Sequence, residues 1–592
     1  MIYNAPVKDM LFLIDEWIGM DKITALPGYE DLDRETLQFI IEEAGKFCSS
    51  ELLSINRQGD EHGVTFNDGI VKAPPGFKEA YRKFIDGGWT GVDAEPEHGG
   101  QGLPRLVQFL VDEMLGACNL AFKLYSELSH GVYHLILGNA SQEICDRYLP
   151  KLVEGTWSGT MCLTEPHSGT DLGLLTTRAS PANDGSYSIS GTKIFITSGD
   201  HDLTENILHM VLARLEGAPA GAGGISLFLV PRSLVHDDGT LGARNTVTTG
   251  SIEHKMGIRG SATCVLNFDA ATGYLVGTQN RGLSAMFTMM NMERITVGLQ
   301  GLGMAEIAYQ NALAYAQERL QGKAPAPRPY PGKAADPIIY HPEIKRQLLK
   351  IRCQIEGARA LSVVAGYQAD VLEKSTDAGE AVEAGDTLAL LTPLIKSFLA
   401  DLGMESTLSA QQIFGGHGYI REHGMEQLVR DCRITPIYEG TNEIQALDLV
   451  TRKLTMKGGR LADQFFARWE RFWQAQENAG QLTDDIQPAR AAFSRLQQAT
   501  TWIREQLPAG DAVSRGAATD YQRLFALTTI GCLWSHIVVS IGDKDGAFYD
   551  HKRKLARFYM DHVLPETAAL HQVITRGSES LACFEVADFN GT

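Results

Sequence analysis

The sequence has little positive charge, no long apolar run and no paired cysteines, and each shortage argues against one class of protein. Its 592 residues carry 53 Lys and Arg against 72 Asp and Glu, a formal charge of −19, whereas nucleic-acid binding needs clustered basic side chains. A membrane span needs about 18 apolar residues in a row, which we do not find, and the N-terminus lacks the order of a signal peptide. The nine cysteines form no Cys-x-x-Cys pair, so neither a zinc site nor a disulfide framework is indicated. We expect a cytoplasmic protein without nucleic-acid binding and without a membrane span.

The pattern of apolar residues changes three times along the chain and predicts four domains. A chain of this length exceeds what one hydrophobic core organises. Residues 1–159 and 281–453 place apolar side chains at helical spacing. Residues 160–280 consist of short extended runs separated by turns, and residues 454–592 form a further helical block with a broad aromatic face. The prediction is a mainly α protein with a central β domain and an additional C-terminal helical domain.

Local patterns sharpen this outline. Residues 322–337 carry five prolines and should form a loop between two helices. Glycines in residues 298–303 lie in a helical pattern without a preceding strand, so we expect close helix packing there rather than a dinucleotide fingerprint. The strands predicted in the β domain are residues 187–198, 206–215, 224–231 and 264–275.

The most informative stretch joins residues 411–420, QQIFGGHGYI, to residues 437–445, IYEGTNEIQ. A Gly-Gly turn lets the backbone approach a ligand closely. A carboxylate on a glycine-flanked turn, here Glu439, can be aimed into a pocket. A lone glutamate is most often a solvated loop residue, so the surrounding segments must decide between the two interpretations.

Two further segments combine hydroxyl side chains with glycine-bearing turns. Residues 161–171 read MCLTEPHSGTD, and residues 191–199 read GTKIFITSG. Either one alone could be an ordinary turn between strands. Together with the stretch around Glu439, they give three such segments along the chain, and these three are interpreted together.

This set resembles the acyl-CoA dehydrogenase family. Its members carry a Tyr-Glu-Gly-Thr-like segment after Gln-x-Phe-Gly-Gly-x-Gly, and a Thr-Glu-Pro-x-x-Gly-Ser/Thr-Asp segment earlier in the chain. The resemblance covers about residues 35–452 and implies an N-terminal helical domain, a middle β-barrel and a C-terminal four-helix bundle. The N-terminal start and the additional C-terminal domain look like the bacterial branch that includes 3-methylmercaptopropionyl-CoA dehydrogenases and enzymes for ordinary fatty acyl-CoAs.

The resemblance also implies the cofactor FAD and the roles of individual residues. Glu439 would be the catalytic base. The implied FAD contacts are Met161, Leu163, Thr164, Thr170, Phe195, Thr197, Arg319, Gln412, Gly416 and Thr441. The implied substrate contacts are Thr170, Arg294, Glu439 and Gly440. Arg294 would lie near the CoA phosphates, while Gln412, Gly416 and Arg319 would act across a subunit interface.

Three features depart from the family pattern or leave a choice open. Many relatives have Trp where this chain has Phe195. Arg319 is kept, but Gln-Gly and the proline-rich insertion replace the usual Thr-Phe-Gly after it. Residues 291–294 are predicted to open a helix that supplies the base in a minority branch of the family. Because such enzymes usually lack the later glutamate, Glu293 is assigned a structural or substrate-shaping role.

The implied activity is α,β-dehydrogenation of an acyl-CoA thioester to a trans-2-enoyl-CoA, as in β-oxidation. The expected assembly is a homodimer, and the expected electron acceptor is electron-transfer flavoprotein. One alternative is an acyl-CoA oxidase that hands electrons to oxygen, and another is a non-catalytic flavin- or CoA-binding scaffold. His417 and His423 lack metal-ligand companions at suitable spacing, so no metal is predicted.

Overall fold

A computed structural model describes residues 1–480, 483, 485–507, 511–577 and 579–591. The chain divides into two compact units, one of Ala44–Thr296 and one that joins Met1–Glu43 to Val297–Thr592. Two helices, Arg34–Phe47 and Gly282–Glu318, contribute residues to both units. Each unit is described by itself below.

The first half of the Ala44–Thr296 unit is helical. Amphipathic spacing explains its helices, since Phe77, Ala80, Tyr81 and Phe84 form one buried face of a single helix. The sequence analysis missed a short hairpin of Thr65–Asn67 and Ile70–Lys72. The helices are Leu53–His62, Phe77–Asp86, Arg105–Asn139 and Gln142–Glu154, with a π-helical turn at Cys48–Leu52.

The second half of this unit is a seven-stranded sheet. Its strands are Trp157–Cys162, Arg178–Pro181, Tyr187–Thr197, Asn206–Leu215, Ile225–Pro231, Val247–Ile252 and Thr263–Val276. Five of them pair in a closed ring, because Ile225–Pro231 bonds to both Asn206–Leu215 and Thr263–Val276. Ring closure removes free strand edges. The predicted β-barrel and its four predicted strands are therefore confirmed, with a second hairpin of Ser233–Val235 and Leu241–Arg244 attached.

The core of this unit lies between the long Arg105–Asn139 helix and the barrel. Val132, Trp157, Leu208 and Met289 belong to one buried apolar cluster, and none of these four is more than 1% exposed. The helix and the first strand approach closely, because a Cβ at Gly159 would lie 2.6 Å from Val132. Burial of apolar side chains is the dominant favourable contribution to folding, and this cluster places it between the helix and the barrel.

In the other unit, the described residues with regular secondary structure are helical. Its long helices are Gly282–Glu318, Pro342–Lys374 and Ala378–Ile413, followed by Met425–Cys432, Asn442–Asp448 and the π-helical turn Leu449–Lys453. Its C-terminal helices are Arg460–Asn478, Gln487–Gln506, Asp511–Gly516, Ala518–Ile541, Ala547–His562, Glu566–Arg576 and Glu579–Ala582. Its N-terminal segment forms Val7–Leu11, the π-helical Phe12–Gly19 and Met20–Thr24.

Helix packing in this unit confirms two sequence predictions. A Cβ at Gly301 would lie 2.2 Å from the backbone oxygen of Leu399, so only glycine permits this helix pair to approach so closely. A Cβ at Gly298 would likewise lie 2.8 Å from Ile395, so Gly298 and Gly301 are packing residues. The predicted proline-rich loop also forms, since one helix ends at Glu318 and the next begins at Pro342.

One prediction about this region is wrong. Residues 291–294 do not open a helix, because the helix begins nine residues earlier, at Gly282. The residues before them are also apolar or small and continue the helical spacing back to residue 281, where the predicted helical domain begins.

Among the residues that the structure describes, two helices of the helical unit are long and apolar enough to cross a membrane by length and composition. They are Ala378–Ile413 and Ala518–Ile541, and 72% and 78% of their most apolar windows are buried inside the protein. Core helices of globular proteins have the same composition. The expected absence of a membrane span remains a prediction.

Candidate active site

Glu439 lies on a strained turn that the chain holds from both sides. Its φ is +56°, and Gly440 follows at +80°, a region that favours glycine. A Cβ on Gly440 would lie 2.7 Å from Gln445 Nε2, which itself donates to the Glu439 carbonyl at 3.1 Å. Thr441 caps the next helix, accepting from Ile444 N at 3.3 Å. Non-glycine residues held at positive φ concentrate at functional sites.

Asn442 fixes this turn to the neighbouring Ala378–Ile413 helix. Its side-chain oxygen accepts from the fully buried Lys396 at 2.9 Å, and its amide donates to Asp401 at 2.7 Å and to the Ser397 carbonyl at 3.2 Å. All three contacts come from one helix face. The backbone that carries Glu439 is therefore anchored by a polar network three residues away.

The contribution of this network to stability should depend on pH, because Asp401 is one of its members and can be protonated. Burial raises the pKa of Asp401 to about 6, although Asn442 donates to it. An acid with a raised pKa stabilises the fold at low pH and loses that contribution as the pH rises through about 6. Asp401→Asn, which keeps an acceptor for Asn442, is therefore expected to stabilise the protein by about 1 kcal/mol at pH 8 and hardly at pH 4.

Melting temperatures of the two proteins at both pH values check this expectation. The wild-type protein at pH 4 is the matched control, because there Asp401 is already protonated. An equal shift at both pH values would assign the effect to packing rather than to the carboxylate.

A cavity of about 340 Å³ lies beside the Gly-Gly turn of the same unit. It is lined by Arg319 and Gly416, two predicted cofactor contacts, with Tyr315, Phe414 and His417. Tyr315 stacks on Phe414 with ring centroids 4.1 Å apart and donates to or accepts from His417 Nδ1 at 2.8 Å. The cavity combines a cation with flat aromatic walls, which suits a phosphorylated ring compound. Gln412 is exposed at the end of the helix that leads into this turn.

In the Ala44–Thr296 unit, the predicted flavin segment is held by a buried ion pair. Glu165 accepts from Lys193 at 2.9 Å, and from the backbone and hydroxyl of both Thr176 and Thr177 at 2.6–3.0 Å. Burial opposes ionisation, yet Lys193 and these donors lower the pKa of Glu165 to about 2. Lys193 also donates to the Leu163 carbonyl at 2.9 Å.

This pair joins two segments that the sequence analysis treated separately. Ile194 N donates to the Thr164 carbonyl at 2.9 Å, so the strand of Phe195 runs beside Thr164. Met161 and Thr164 are half-buried, and Thr170 is exposed at the following turn. The sequence analysis gave Glu165 and Lys193 no role, although both stood in the segments it selected.

Phe195 is presented to solvent by a β-bulge. The strand has one extra residue between Lys193 and Ile196, opposite Cys264 and Leu266. At the bulge Phe195 has φ +58°, and 59% of it is exposed. Bulges re-aim side chains next to active sites. An exposed aromatic ring beside half-buried Thr197 is a surface that a flat ring system such as isoalloxazine could cover, so these residues fit the implied cofactor.

Glu293 and Arg294, the charged residues of the segment that was predicted to open a helix, are both buried. Arg294 is 9% exposed and donates to Asn291 at 3.4 Å. Glu293 is 2% exposed, and its carboxylate lies so close to Gly131 that a Cβ there would be 2.3 Å away. Nearby Lys123 is fully buried and bonds to Glu127 at 2.5 Å. Glu293 thus belongs to a packed ionic region, which supports its predicted structural role.

The sequence analysis missed a buried cluster on the Arg105–Asn139 helix. His130 and His134 lie one turn apart with their Nε2 atoms 3.1 Å from each other, and Asp93 is 2.6 and 3.3 Å from them. These ligand atoms lie within 4.8 Å, a spacing that could hold a metal ion. Arg105, however, lies 2.7 Å from Asp93 and 3.2 Å from His134 Nδ1. A donor there keeps the His134 proton on Nε2, where a metal would need a lone pair, so the geometry favours an ion-paired network.

Four family descriptions match consecutive parts of the chain. They are Acyl-CoA dehydrogenase, N-terminal domain, over residues 34–156; the middle domain over 160–271; the C-terminal domain over 280–454; and Acetyl-CoA dehydrogenase C-terminal like over 464–585. The last match covers most of the additional helical region. The matches thus extend beyond residues 35–452, which carry the general family resemblance, into the additional C-terminal domain.

Individual proteins agree with these matches. The chain is 39% identical to a 3-methylmercaptopropionyl-CoA dehydrogenase of Ruegeria pomeroyi over 98% of this chain and 99% of that protein. It is 32% identical to a butyryl-CoA dehydrogenase of Syntrophomonas wolfei over 95% of each. The crystal structure of Caenorhabditis elegans ACDH-11 in complex with C11-CoA shares the fold, with a TM-score of 0.77 at 18% identity over 95% of this chain and 92% of that one. The predicted fold class is confirmed, and the chain belongs to the acyl-CoA dehydrogenase family.

Proposed function

We propose that this protein is an FAD-dependent acyl-CoA dehydrogenase in which Glu439 removes the α-proton of the thioester. The observation that carries the proposal is the anchored turn, where a carboxylate is held at φ +56° between Gly440 and the Asn442 network. Family membership gives this turn its chemical meaning. On an unrelated fold, a glutamate on a similar turn would not by itself indicate acyl-CoA dehydrogenation.

The carboxylate and the backbone N–H of Glu439 have different roles in proton removal. Glu439 takes the proton from the carbon next to the thioester carbonyl, and its own backbone N–H is assigned to donate to that carbonyl oxygen. Oriented donors of this kind stabilise the developing enolate and often make the largest single contribution to catalysis. Once substrate covers the turn and excludes water, the carboxylate becomes a stronger base.

FAD, when bound, supplies the acceptor for the hydride that leaves the β-carbon, giving the trans-2-enoyl-CoA. We assign the ring-facing positions to Met161, Leu163, Thr164, Phe195 and Thr197. The remaining cofactor positions are Thr170, Arg319, Gln412, Gly416 and Thr441. The exposed Phe195 and the cavity beside Arg319 support these assignments.

The substrate is an acyl-CoA, and we propose either 3-methylmercaptopropionyl-CoA or a fatty acyl-CoA. The two dehydrogenases named above act, by their names, on a methylthio-substituted and a plain short chain. Thr170, Arg294 and Gly440 are the proposed substrate contacts besides Glu439. Arg294 would need its guanidinium at the edge of its buried position to reach a CoA phosphate, because it is only 9% exposed.

We further propose the wider setting that the family resemblance implies. The protein would be a cytoplasmic homodimer of fatty acid β-oxidation, with its domains at 1–159, 160–280, 281–453 and 454–592. Reduced FAD would pass electrons to electron-transfer flavoprotein. Arg319, Gln412 and Gly416 would then complete the cofactor site of the partner subunit.

Anaerobic titration of the FAD-loaded protein with a panel of acyl-CoAs tests the proposed function. We expect at least one thioester to bleach the flavin absorbance, and the comparison of the methylthio-propionyl with straight-chain thioesters identifies the substrate. A flavin that no acyl-CoA bleaches would indicate the non-catalytic scaffold instead. Peroxide formation in air without an added acceptor would indicate the oxidase.

A further inference from the structure

A second cavity, of about 220 Å³, lies in the helical unit and contains none of the residues assigned to catalysis. Three parts of the chain line it. Trp17 comes from the N-terminal π-helix, Leu361 and Leu391 come from two bundle helices, and Trp469 and Leu533 come from the C-terminal helices. Its lining therefore requires the additional helical region.

One part of the cavity lining is apolar and buried. Trp17, Leu391, Trp469 and Leu533 are all less than 9% exposed. Phe472 adds a ring that packs on His536, with centroids 5.5 Å apart. Apolar cavities of this kind bind apolar ligands, and an engineered cavity of about 150 Å³ holds one benzene molecule. Benzene has six carbon atoms, so at the same cavity volume per carbon the space of about 220 Å³ holds about nine carbon atoms.

The polar part of the lining carries more positive than negative charge. Lys22 and Arg468 are exposed lining residues, and neither forms an ion pair within the described part of the chain. Glu383 is the single acidic residue of the lining among those described. Both cations lie close enough to His536 to act on it, since burial first and then Arg468 and Lys22 lower the pKa of His536 to about 4.

His536 is therefore neutral near pH 7, and its tautomer is fixed. Trp17 Nε1 donates to His536 Nδ1 at 2.8 Å, which leaves the proton on Nε2. His536 itself lines the cavity. Two cations and one N–H donor thus accompany an apolar space, a combination that matches a carboxylate joined to a hydrocarbon chain.

We propose that this cavity binds a medium-chain carboxylic acid of about nine carbons, with its chain between Trp17 and Trp469 and its carboxylate at Arg468 and Lys22. This site goes beyond the proposed function and does not depend on it. The ligand is a free acid rather than a thioester, because the cavity is too small for the CoA moiety as well as the chain.

Calorimetric titration of the FAD-loaded full-length protein with nonanoate tests the proposal. Nonanol and nonylamine, which have the same chain with a neutral and a cationic head, should bind at least about tenfold more weakly if the cations select the ligand. Arg468→Gln should weaken nonanoate binding by a similar factor. Arg471→Gln is the matched control, because Arg471 lies on the same helix outside the lining and should change nothing.

A second variant places the ligand in this cavity rather than elsewhere. Val364 is a half-buried lining residue, and Val364→Phe should fill the space and abolish nonanoate binding while leaving acyl-CoA dehydrogenation intact. Absence of nonanoate binding to the wild-type protein would overturn the proposal. Equal binding by the Arg468 and Arg471 variants would also overturn it, as would unchanged binding by a folded Val364→Phe protein. Should that variant fail to fold, the comparison of the two arginine variants decides.

Discussion

Replacing Glu439 by Gln is expected to leave the protein yellow with bound FAD and to slow its reduction by an acyl-CoA at least about a thousandfold. Glutamine keeps the size and polarity of the side chain but cannot accept the α-proton. The turn should survive, because its anchors are Gln445, Asn442 and the Thr441 cap rather than the carboxylate itself. Stopped-flow absorbance of the flavin under anaerobic conditions measures the rate.

Two matched variants give this experiment its controls. Glu443 is an exposed glutamate at the start of the helix that follows the Glu439 turn, with a pKa held low by backbone contacts and by Thr441. Glu443→Gln changes one charge nearby and should retain nearly the full rate. Glu293→Gln tests the rival base on the Gly282–Glu318 helix. Normal reduction of the Glu439 variant, together with loss of reduction in the Glu293 variant, would move the base to Glu293.

The sequence was sufficient for the parts of the molecule that local rules determine. Strand alternation and turn residues located four of the seven strands of the sheet within two residues, since these signals act over short distances. The proline-rich loop and the packing glycines were predicted for the same reason. The strands Trp157–Cys162, Arg178–Pro181 and Val247–Ile252 were not among those predicted. The Glu439 turn was identifiable because its chemistry is concentrated in one continuous segment.

Other features depend on residues that are far apart in the sequence. The Glu165–Lys193 pair joins positions 28 residues apart, and the Asp93, His130 and His134 cluster joins a loop to a helix. Neither has a periodic pattern, so only the fold brings the partners together. The prediction that residues 291–294 open a helix failed for a different reason. The predicted domain boundary at residue 281 lies next to the observed start at Gly282, but a second boundary was placed inside the helical pattern, and boundaries are the least reliable part of such predictions.

The largest effect of a substitution on stability is expected at a buried ionic network of the helical unit. Its members are far apart in the sequence, so the sequence analysis did not predict it. Lys552 bonds to Glu356 at 2.6 Å and to Asp9, and Arg359 bonds to Asp9 at 2.6 Å and to Glu306 at 2.7 Å. All five side chains are 5% exposed or less. The network ties the N-terminal segment, the bundle and the Ala547–His562 helix together.

Lys552→Met should destabilise the protein by about 3–5 kcal/mol, because it leaves Asp9 and Glu356 buried without one of their cations. Methionine keeps the apolar stem among Phe12, Trp534 and Phe548, whose rings surround the ammonium, so the effect is one of charge rather than of volume.

Lys554→Met is the matched control, since Lys554 is exposed on the same helix and its loss should change little. Urea unfolding followed by circular dichroism compares the three proteins. Equal midpoints for the wild-type and Lys552 variant proteins would show that the network contributes no net stability.

The stability lost in the Lys552→Met protein should depend on pH, and the same network explains why. Burial disfavours the charged form of Glu356, but Lys552 and Arg352 hold its pKa well below the usual value. A lowered pKa contributes stability that is present above the unfolded value of 4.5 and is lost as the pH falls through the folded pKa. The Lys552→Met protein lacks much of that contribution. Its deficit should therefore be full at pH 7 and should narrow below about pH 4.5, as the Glu356 carboxylate takes up a proton in place of the missing cation.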